Sequence, residues 1–417
     1  MRSIGTVIVT VAALLLAPSS KAEPNSDEAL IAAYGRAVSE GRIAAPRSLE
    51  DLKEAVQTRA DRQGYPVTGL SPGEVREALS RLNSLDRDEW AQAWSVLGQR
   101  HEATAQSLEA SDRHTAAEEW LAAFRYYAFG AWPLQNAPGK KEAYAKATAA
   151  FRHYAALRDP PFEVVHIPFE GGEIVGYLGR PAGAAKPPVV IAIGGLDSYK
   201  EFMAERGPEF LAKGMAFLAL DMPGTGEAPI KIDVGAERMF SAAIDALRQR
   251  ADVDGNRIGV VGVSWGGHWA ARLGYVERER LKGAVAWGGP TEGYFEPAWQ
   301  QKALGTREYL FDLFPARATV YGVHNLDEFL AYGPRMKLSA LGVLDKPSAP
   351  ILLVNGLKDT QVPIEDLFVV LRSGSPKEAW VNPGGGHLGR SADWPDEKIL
   401  RDVIVPWLAH ATGAEAR

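Results

Sequence analysis

No cysteine occurs among the 417 residues, so disulfides are excluded as staples and the fold must rest on its packed core. Basic residues are in the minority, 46 against 52 acidic, for a net charge of −6. A chain with that balance has no electrostatic reason to hold nucleic acid. No metal-ligand spacing is present, and Gly384-Gly385-Gly386 lacks the following Lys and Ser/Thr of a phosphate-cradling loop. The expectation is a protein that works without metal or cofactor. Fixed-period repeats are missing too, which excludes a helical solenoid. Beyond residue 22 no apolar run is long enough to cross a bilayer.

One short apolar run is present at the start. Met1 and Arg2 precede Ile4 to Leu16, and Ser20-Lys21-Ala22 stands before Glu23. This is the pattern of a signal peptide over residues 1–22, which predicts export to the periplasm or medium and no membrane attachment once it is cleaved. Without Arg2 and Lys21 the remainder holds 44 basic and 52 acidic residues, a net of −8. The length suggests two domains.

Residues 23–159 show helix punctuation and no strand alternation. Ser48-Leu49-Glu50-Asp51 and Ser71-Pro72-Gly73-Glu74 each open a helix. Trp90, Trp94, Leu97, His101 and Leu108 recur at helical spacing, and Asp112 caps a further helix that carries Trp120, Leu121 and Phe124 and stops near Gly130 and Pro133. Tyr144, Ala147, Phe151 and Tyr154 mark the last helix. Faces this apolar must pack on each other, on the rest of the chain or on a second subunit. Most of the aromatic residues read as core. Tyr126, Tyr127, Phe129 and Trp132, clustered at a helix end, are candidates for the wall of a substrate pocket.

From Pro160-Pro161 onward, over residues 160–417, the pattern becomes α/β. Phe162 to Pro168 and Ile174 to Arg180 read as a hairpin, and Val189 to Ile193 as a strand buried on both faces. Ala216 to Leu220, Ala284 to Trp287, Ile351 to Asn355 and Glu378 to Val381 read as further strands, with a helix over Gly235 to Arg250 and a turn over Asp252 to Asn256. Residues 288–346 are too long for a plain connection. They read as an inserted lid with helical pieces at Arg307 to Phe314 and Asp327 to Tyr332.

The chemistry converges on Gly262-Val263-Ser264-Trp265-Gly266, a Gly-x-Ser-x-Gly between a β-branched run and a helical stretch. That layout is a nucleophile elbow, with Ser264 as nucleophile. Asp359 follows one strand and His387 the next, in the order Ser, Asp, His that this elbow accompanies. His387 is the expected general base and Asp359 its orienting carboxylate. Asp366 and Asp345 compete for the acid, His268 and His324 for the base. The backbone N–H groups of Gly195, Leu196 and Trp265 are candidates for an oxyanion hole, and Asp197 for the pocket. Glu227, in a Pro-Gly-x-Gly-Glu loop at the same sheet edge, is either a site residue or a solvated one.

The motifs Gly194-Gly195-Leu196-Asp197-Ser198-Tyr199-Lys200-Glu201, Asp221-Met222-Pro223-Gly224-Thr225-Gly226-Glu227 and Gly262 to Gly267 together resemble one branch of the α/β-hydrolases. It contains 2,6-dihydroxypseudooxynicotine hydrolase and relatives of the fermentation-respiration switch protein, and the fungal polyketide-shortening hydrolases look similar. The resemblance implies an α/β-hydrolase fold, a mostly parallel twisted sheet with helices on both faces. It also implies a helical N-terminal domain that closes the pocket and supports a homodimer. In relatives that cleave carbon–carbon bonds beside a ketone, a glutamate at the position of Glu227 joins the triad. The expected activity is hydrolysis of an ester, or of such a carbon–carbon bond, in a bulky, partly aromatic small molecule. A prolyl-oligopeptidase-like peptidase and an inactive binding protein are the rival readings.

Overall fold

The computed structural model describes residues 26–373 and 377–414. The expected signal peptide and its cleavage site lie outside the described residues.

Six helices come first: α1 (Ser26–Ser39), α2 (Leu49–Asp61), α3 (Pro72–Ser80), α4 (Arg87–Leu108), α5 (Arg113–Ala131) and α6 (Pro138–Leu157). Their starts follow from side chains that accept the first free N–H groups. Ser48 accepts from Asp51 N, Asp86 from Asp88 N and Glu89 N, and Asp112 from Thr115 N. At α3 the start depends on Pro72 instead, since the Ser71 side chain makes no cap bond. The central helix α5 is buried on two sides. Trp120, Phe124 and Tyr127 pack with Phe151 of α6 and with Phe162, Tyr177 and Phe217 of the α/β domain. Tyr126 and Phe129 pack with Trp90 and Trp94 of α4 and with residues of α2 and α3. The apolar helical faces are therefore covered within one chain.

Eight strands form one sheet: β1 (Glu163–Phe169), β2 (Gly172–Gly179), β3 (Pro188–Ile193), β4 (Ala216–Leu220), β5 (Asp254–Val263), β6 (Leu281–Trp287), β7 (Ile351–Gly356) and β8 (Lys377–Asn382), in the order β1-β2-β4-β3-β5-β6-β7-β8. β2 pairs antiparallel with β1 and β4, and the other pairings are parallel. Side chains alternate between faces along a strand, and here both faces carry core. Val189, Ile191 and Ile193 of β3 join the helices Arg238–Gln249 and Trp265–Val276, while Val190 and Ala192 join α5, α6 and the C-terminal helix Val405–Thr412. The chain passes from β3 to β4 on one side and then to β5 on the other. A crevice therefore opens at the carboxyl ends of β3 and β5, where ligands bind in such sheets.

Three expectations need correction. The Asp252–Asn256 turn runs into β5, because Asp254 already pairs with Pro188. The helix expected from Gly235 begins at Arg238. Between β6 and β7 the helices are Pro297–Leu304, Leu313–Tyr321 and Leu326–Tyr332, so the piece expected at Arg307 to Phe314 is mostly not helical. Its backbone is engaged elsewhere. Arg47 and Arg59 donate to the carbonyls of Arg307 and Glu308, and Asp312, held by Arg87 at 2.8 Å, takes a left-handed conformation with φ 56° before the helix starts.

Candidate active site

At the end of β5 the chain turns so sharply that a Cβ on Gly262 would lie 1.8 Å from the Gly266 carbonyl, and one on Gly266 would lie 2.4 Å from that of Gly194. Only glycine allows such crossings. Ser264 stands between them at φ 53° and ψ −119°, a strained conformation for a side-chain-bearing residue, held by its N–H on Trp287 O at 2.7 Å. The hydroxyl thus projects into the crevice ahead of the helix that begins at Trp265.

His387 comes from the loop after β8 and Asp359 from the loop after β7. His387 Nε2 lies 2.9 Å from Ser264 Oγ, and His387 Nδ1 lies 2.8 Å from Asp359 Oδ2. The imidazole loop is anchored by Trp287, whose Nε1 donates to Leu388 O at 2.7 Å. Asp359 is fixed by further donors: Asn355 Nδ2 on Oδ2, and the N–H groups of Gln361 and Val362 on Oδ1. Burial opposes charge on both groups, yet their attraction outweighs it. His387 is raised above its ordinary value and Asp359 is held below the usual carboxylate range.

The competing groups are elsewhere. His268 is buried with Nδ1 at 3.0 Å from Pro290 O, and burial pushes it down to about 3. Asp366 is buried and accepts N–H groups from Thr291, Glu292, Gly293 and Tyr294, which ties down the chain after β6. Asp345 and His324 are exposed.

Ser264 and His387 open onto a cavity of about 220 Å³, lined also by Gly195, Leu196, Asp197, Trp265 and Trp132. The Gly195 backbone passes close enough that its Cβ would be 3.2 Å from Ser264 Cβ. Trp132 does wall the pocket, and its Nε1 donates to Asp197 Oδ2 at 3.0 Å. Burial raises the Asp197 carboxyl against the Trp132 hydrogen bond, while the Tyr65 hydroxyl donates to the Asp197 main-chain oxygen at 3.2 Å.

Tyr126, Tyr127 and Phe129 are not among the lining residues. The two phenols instead donate to Glu74 and Glu102, and the rings fill the helical core. Glu227 also leaves the expected place. It pairs with Lys200 at 2.6 Å and with Arg152 at 3.2 Å, outside the cavity lining. Burial would raise its carboxyl, but Lys200 and Arg152 hold it below the ordinary value. Several lining residues had no local signal in the sequence: Arg59 and Tyr65 from the helical domain, Tyr294, Tyr309 and Arg317 from the segment between β6 and β7, and Arg390 three residues past the imidazole.

A serine on an elbow, an imidazole and a carboxylate meeting at the carboxyl edge of this sheet define the α/β-hydrolase class. The fold is shared with the 2,6-dihydroxy-pseudo-oxynicotine hydrolase, at a TM-score of 0.69 over 83% of this chain and 94% of that one, with 23% identity. It is shared with AbyA5 at a TM-score of 0.69 over 88% and 96%, with 21% identity. Residues 77–366 match the family described as esterase FrsA-like. The chain belongs to the FrsA-like esterase family, as the resemblance of the loop motifs implied. Esterase FrsA of Vibrio parahaemolyticus is 28% identical over 248 residues, 54% of this chain and 59% of that protein. Esterase FrsA of Vibrio vulnificus strain YJ016 is 28% identical over 323 residues, 72% and 75%. That of Enterobacter sp. strain 638 is 31% identical over 278 residues, 62% and 66%.

Proposed function

We propose that this protein is a serine hydrolase that cleaves a carboxylic ester of a small molecule through an acyl-enzyme. The observation that carries the reading is the unbroken relay from Ser264 Oγ to His387 Nε2 at 2.9 Å and from His387 Nδ1 to Asp359 at 2.8 Å. Ser264 Oγ adds to the ester carbonyl while its proton passes to His387, and Asp359 stabilises the imidazolium. The oxyanion is received by backbone N–H groups of Trp265 and of the Gly195-Leu196 segment, which borders Ser264. His387 then gives the proton to the departing alcohol, and water, activated by the same imidazole, releases the acid.

Ester cleavage is favoured over the carbon–carbon alternative. The carboxylate that would assist a carbanion, Glu227, is ion-paired with Lys200 and Arg152 and lies off the cavity. The relatives' name, esterase, points the same way. The peptidase reading gains nothing, since the N-terminal residues described are helical and form no propeller.

The test is labelling by a fluorophosphonate together with turnover of 4-nitrophenyl butyrate. Both are expected in the wild type and absent in Ser264→Ala. Turnover that survives the substitution would sink the proposal. Export follows in the same reading from the apolar run Ile4 to Leu16 and the Ser20-Lys21-Ala22 site. A mass spectrum of protein recovered from the periplasm or medium should begin at Glu23, and an intact start at Met1 would refute it.

A further inference from the structure

Among the described residues most buried and half-buried cations meet a carboxylate, and Lys140, buried without one, donates to Trp132 O at 2.7 Å and lies outside the Ser264 cavity. Lys200 faces Glu201, Asp221 and Glu227, Arg87 faces Asp312, Arg272 faces Glu237, and Arg390 faces Asp396. Arg317 is different. It sits on the helix Leu313–Tyr321, is 3% exposed, and lines the same cavity as Ser264 and His387. Its Nη2 donates to Gln361 Oε1 at 3.3 Å, and its guanidinium lies 5.1 Å from the centre of the Tyr294 ring. The Nε and Nη1 donors are buried without a protein acceptor, and among the described residues no carboxylate comes within ion-pair distance. A guanidinium cannot shed its proton, so burial without a counter-charge is costly.

The cavity does not hold that counter-charge in its own walls. Its two acids are engaged elsewhere, Asp197 by Trp132 and Glu308 by Thr360 and Gln361. Arg59 adds a second guanidinium without an acid, its donors resting on the carbonyls of Tyr65 and Glu308. Arg206 and Arg390, which also line the cavity, share Asp396, so the uncompensated charge beside the nucleophile is local to Arg317.

We infer that the substrate bears a carboxylate in addition to the scissile ester, and that this carboxylate docks on Arg317. The planar fork of a guanidinium fits a carboxylate with two parallel N–H donors, which supplies orientation as well as charge. Arg317 then selects the substrate, and Ser264 acts on it. The inference rests on the ester-hydrolase reading above and narrows its substrate to an anionic ester.

The experiment compares kcat/KM of the full chain on a neutral ester, 4-nitrophenyl butyrate, with two anionic ones. Mono-(4-nitrophenyl) glutarate places the carboxylate on the acyl side, and 4-carboxyphenyl butyrate on the leaving-group side. The wild type should prefer one anionic ester to the neutral one. In Arg317→Gln the anionic-to-neutral ratio should fall by about 30-fold or more, the loss typical when one partner of a buried charge pair is removed. Arg317→Lys, which keeps the charge without the fork, should restore part of the ratio. The ratio is read because Gln361, the partner of Arg317, also bonds Asp359, so that a purely structural disturbance would slow all three esters alike. A ratio unmoved by the substitution, or a wild type that prefers the neutral ester to both anionic ones, would overturn the inference. Calorimetry of glutarate with Ser264→Ala protein separates the two readings, since that protein turns nothing over. It should bind glutarate and lose the binding when Arg317→Gln is added. No binding would overturn the arginine site while leaving ester hydrolysis standing.

Discussion

Replacing Asp359 by asparagine changes one oxygen into an NH₂ group and tests the relay at its far end. In the wild type Oδ1 accepts Gln361 N at 2.7 Å and Val362 N at 3.0 Å, while Oδ2 accepts His387 Nδ1 at 2.8 Å and Asn355 Nδ2 at 2.9 Å. An asparagine has two orientations. With its NH₂ toward the backbone it would face two N–H donors and leave them unsatisfied, at about 1 to 3 kcal/mol each. With its NH₂ toward His387 it keeps both backbone bonds. The neighbouring Asn355 can then turn, because its Oδ1 has no partner and can accept the new N–H. The second orientation wins. It makes His387 Nδ1 an acceptor and puts the ring proton on Nε2, where it cannot take the proton of Ser264. In triads of this kind the same substitution costs about 10⁴ in kcat, or about 5.5 kcal/mol of barrier. A second readout is the pH profile. His387 must be neutral to act as base and is raised above its ordinary value, largely by Asp359 against burial. Wild-type kcat/KM should therefore rise with pH through an apparent pKa above 6.5. In Asp359→Asn burial and Arg390 lower the imidazole pKa against Glu308, the smallest of the influences, and the limb should move to lower pH. Steady-state rates on a 4-nitrophenyl ester across pH check both effects. A variant that keeps more than about a tenth of kcat/KM, with its limb unmoved, would refute this account of the imidazole.

Gly262→Ala would drive a methyl group to within 1.8 Å of a main-chain oxygen that cannot move aside. The loss should exceed the roughly 1 to 3 kcal/mol of ordinary overpacking, and is measured as a fall in the urea midpoint together with loss of fluorophosphonate labelling. Lys200→Met leaves Glu201, Asp221 and Glu227 facing one another without their shared cation. Urea unfolding should show a destabilisation of about 3 to 5 kcal/mol. Glu227→Gln should leave ester turnover within about threefold of wild type, as expected of a substitution that alters no contact to the reacting atoms. A loss of a hundredfold or more would return that carboxylate to the reaction. Tyr127→Phe deletes the hydroxyl that donates to Glu102, and should cost about 1 to 3 kcal/mol in unfolding without changing kcat.

Helices and strands with strong local signals were legible in the sequence. β4 runs over the residues expected from its apolar run, and α2 and α5 start where Ser48 and Asp112 cap them. Ser264, His387 and Asp359, which the structure brings within hydrogen-bond distance of one another, were picked out for a related reason. Each stands just past a strand end, Ser264 and His387 beside glycine clusters and Asp359 three residues after Gly356, so a short-range pattern marks it. Chain order alone could also name the fold class, because a Gly-x-Ser-x-Gly between strand and helix admits few architectures. Three kinds of fact were decided only by tertiary structure. The first is charge pairing. Glu227 looked like a free site carboxylate until Lys200 was found against it at 2.6 Å, a partner 27 positions away in sequence that no spacing rule connects to it. The second is which face of a helix meets what. Tyr126 and Trp132 lie within two turns of each other, yet one ring is buried among helices and the other walls the cavity, because the helix ends at Ala131 and the chain turns away. The third is the lining itself. Arg59, Arg317 and Arg390 come from three separate regions and converge only after the sheet, the helical domain and the segment between β6 and β7 have packed. Local composition determines which residues can turn, cap or alternate, since those preferences act over a few bonds. Burial, counter-charge and convergence depend on groups far apart along the chain, and they acquire values only when packing brings those groups into one low-dielectric space.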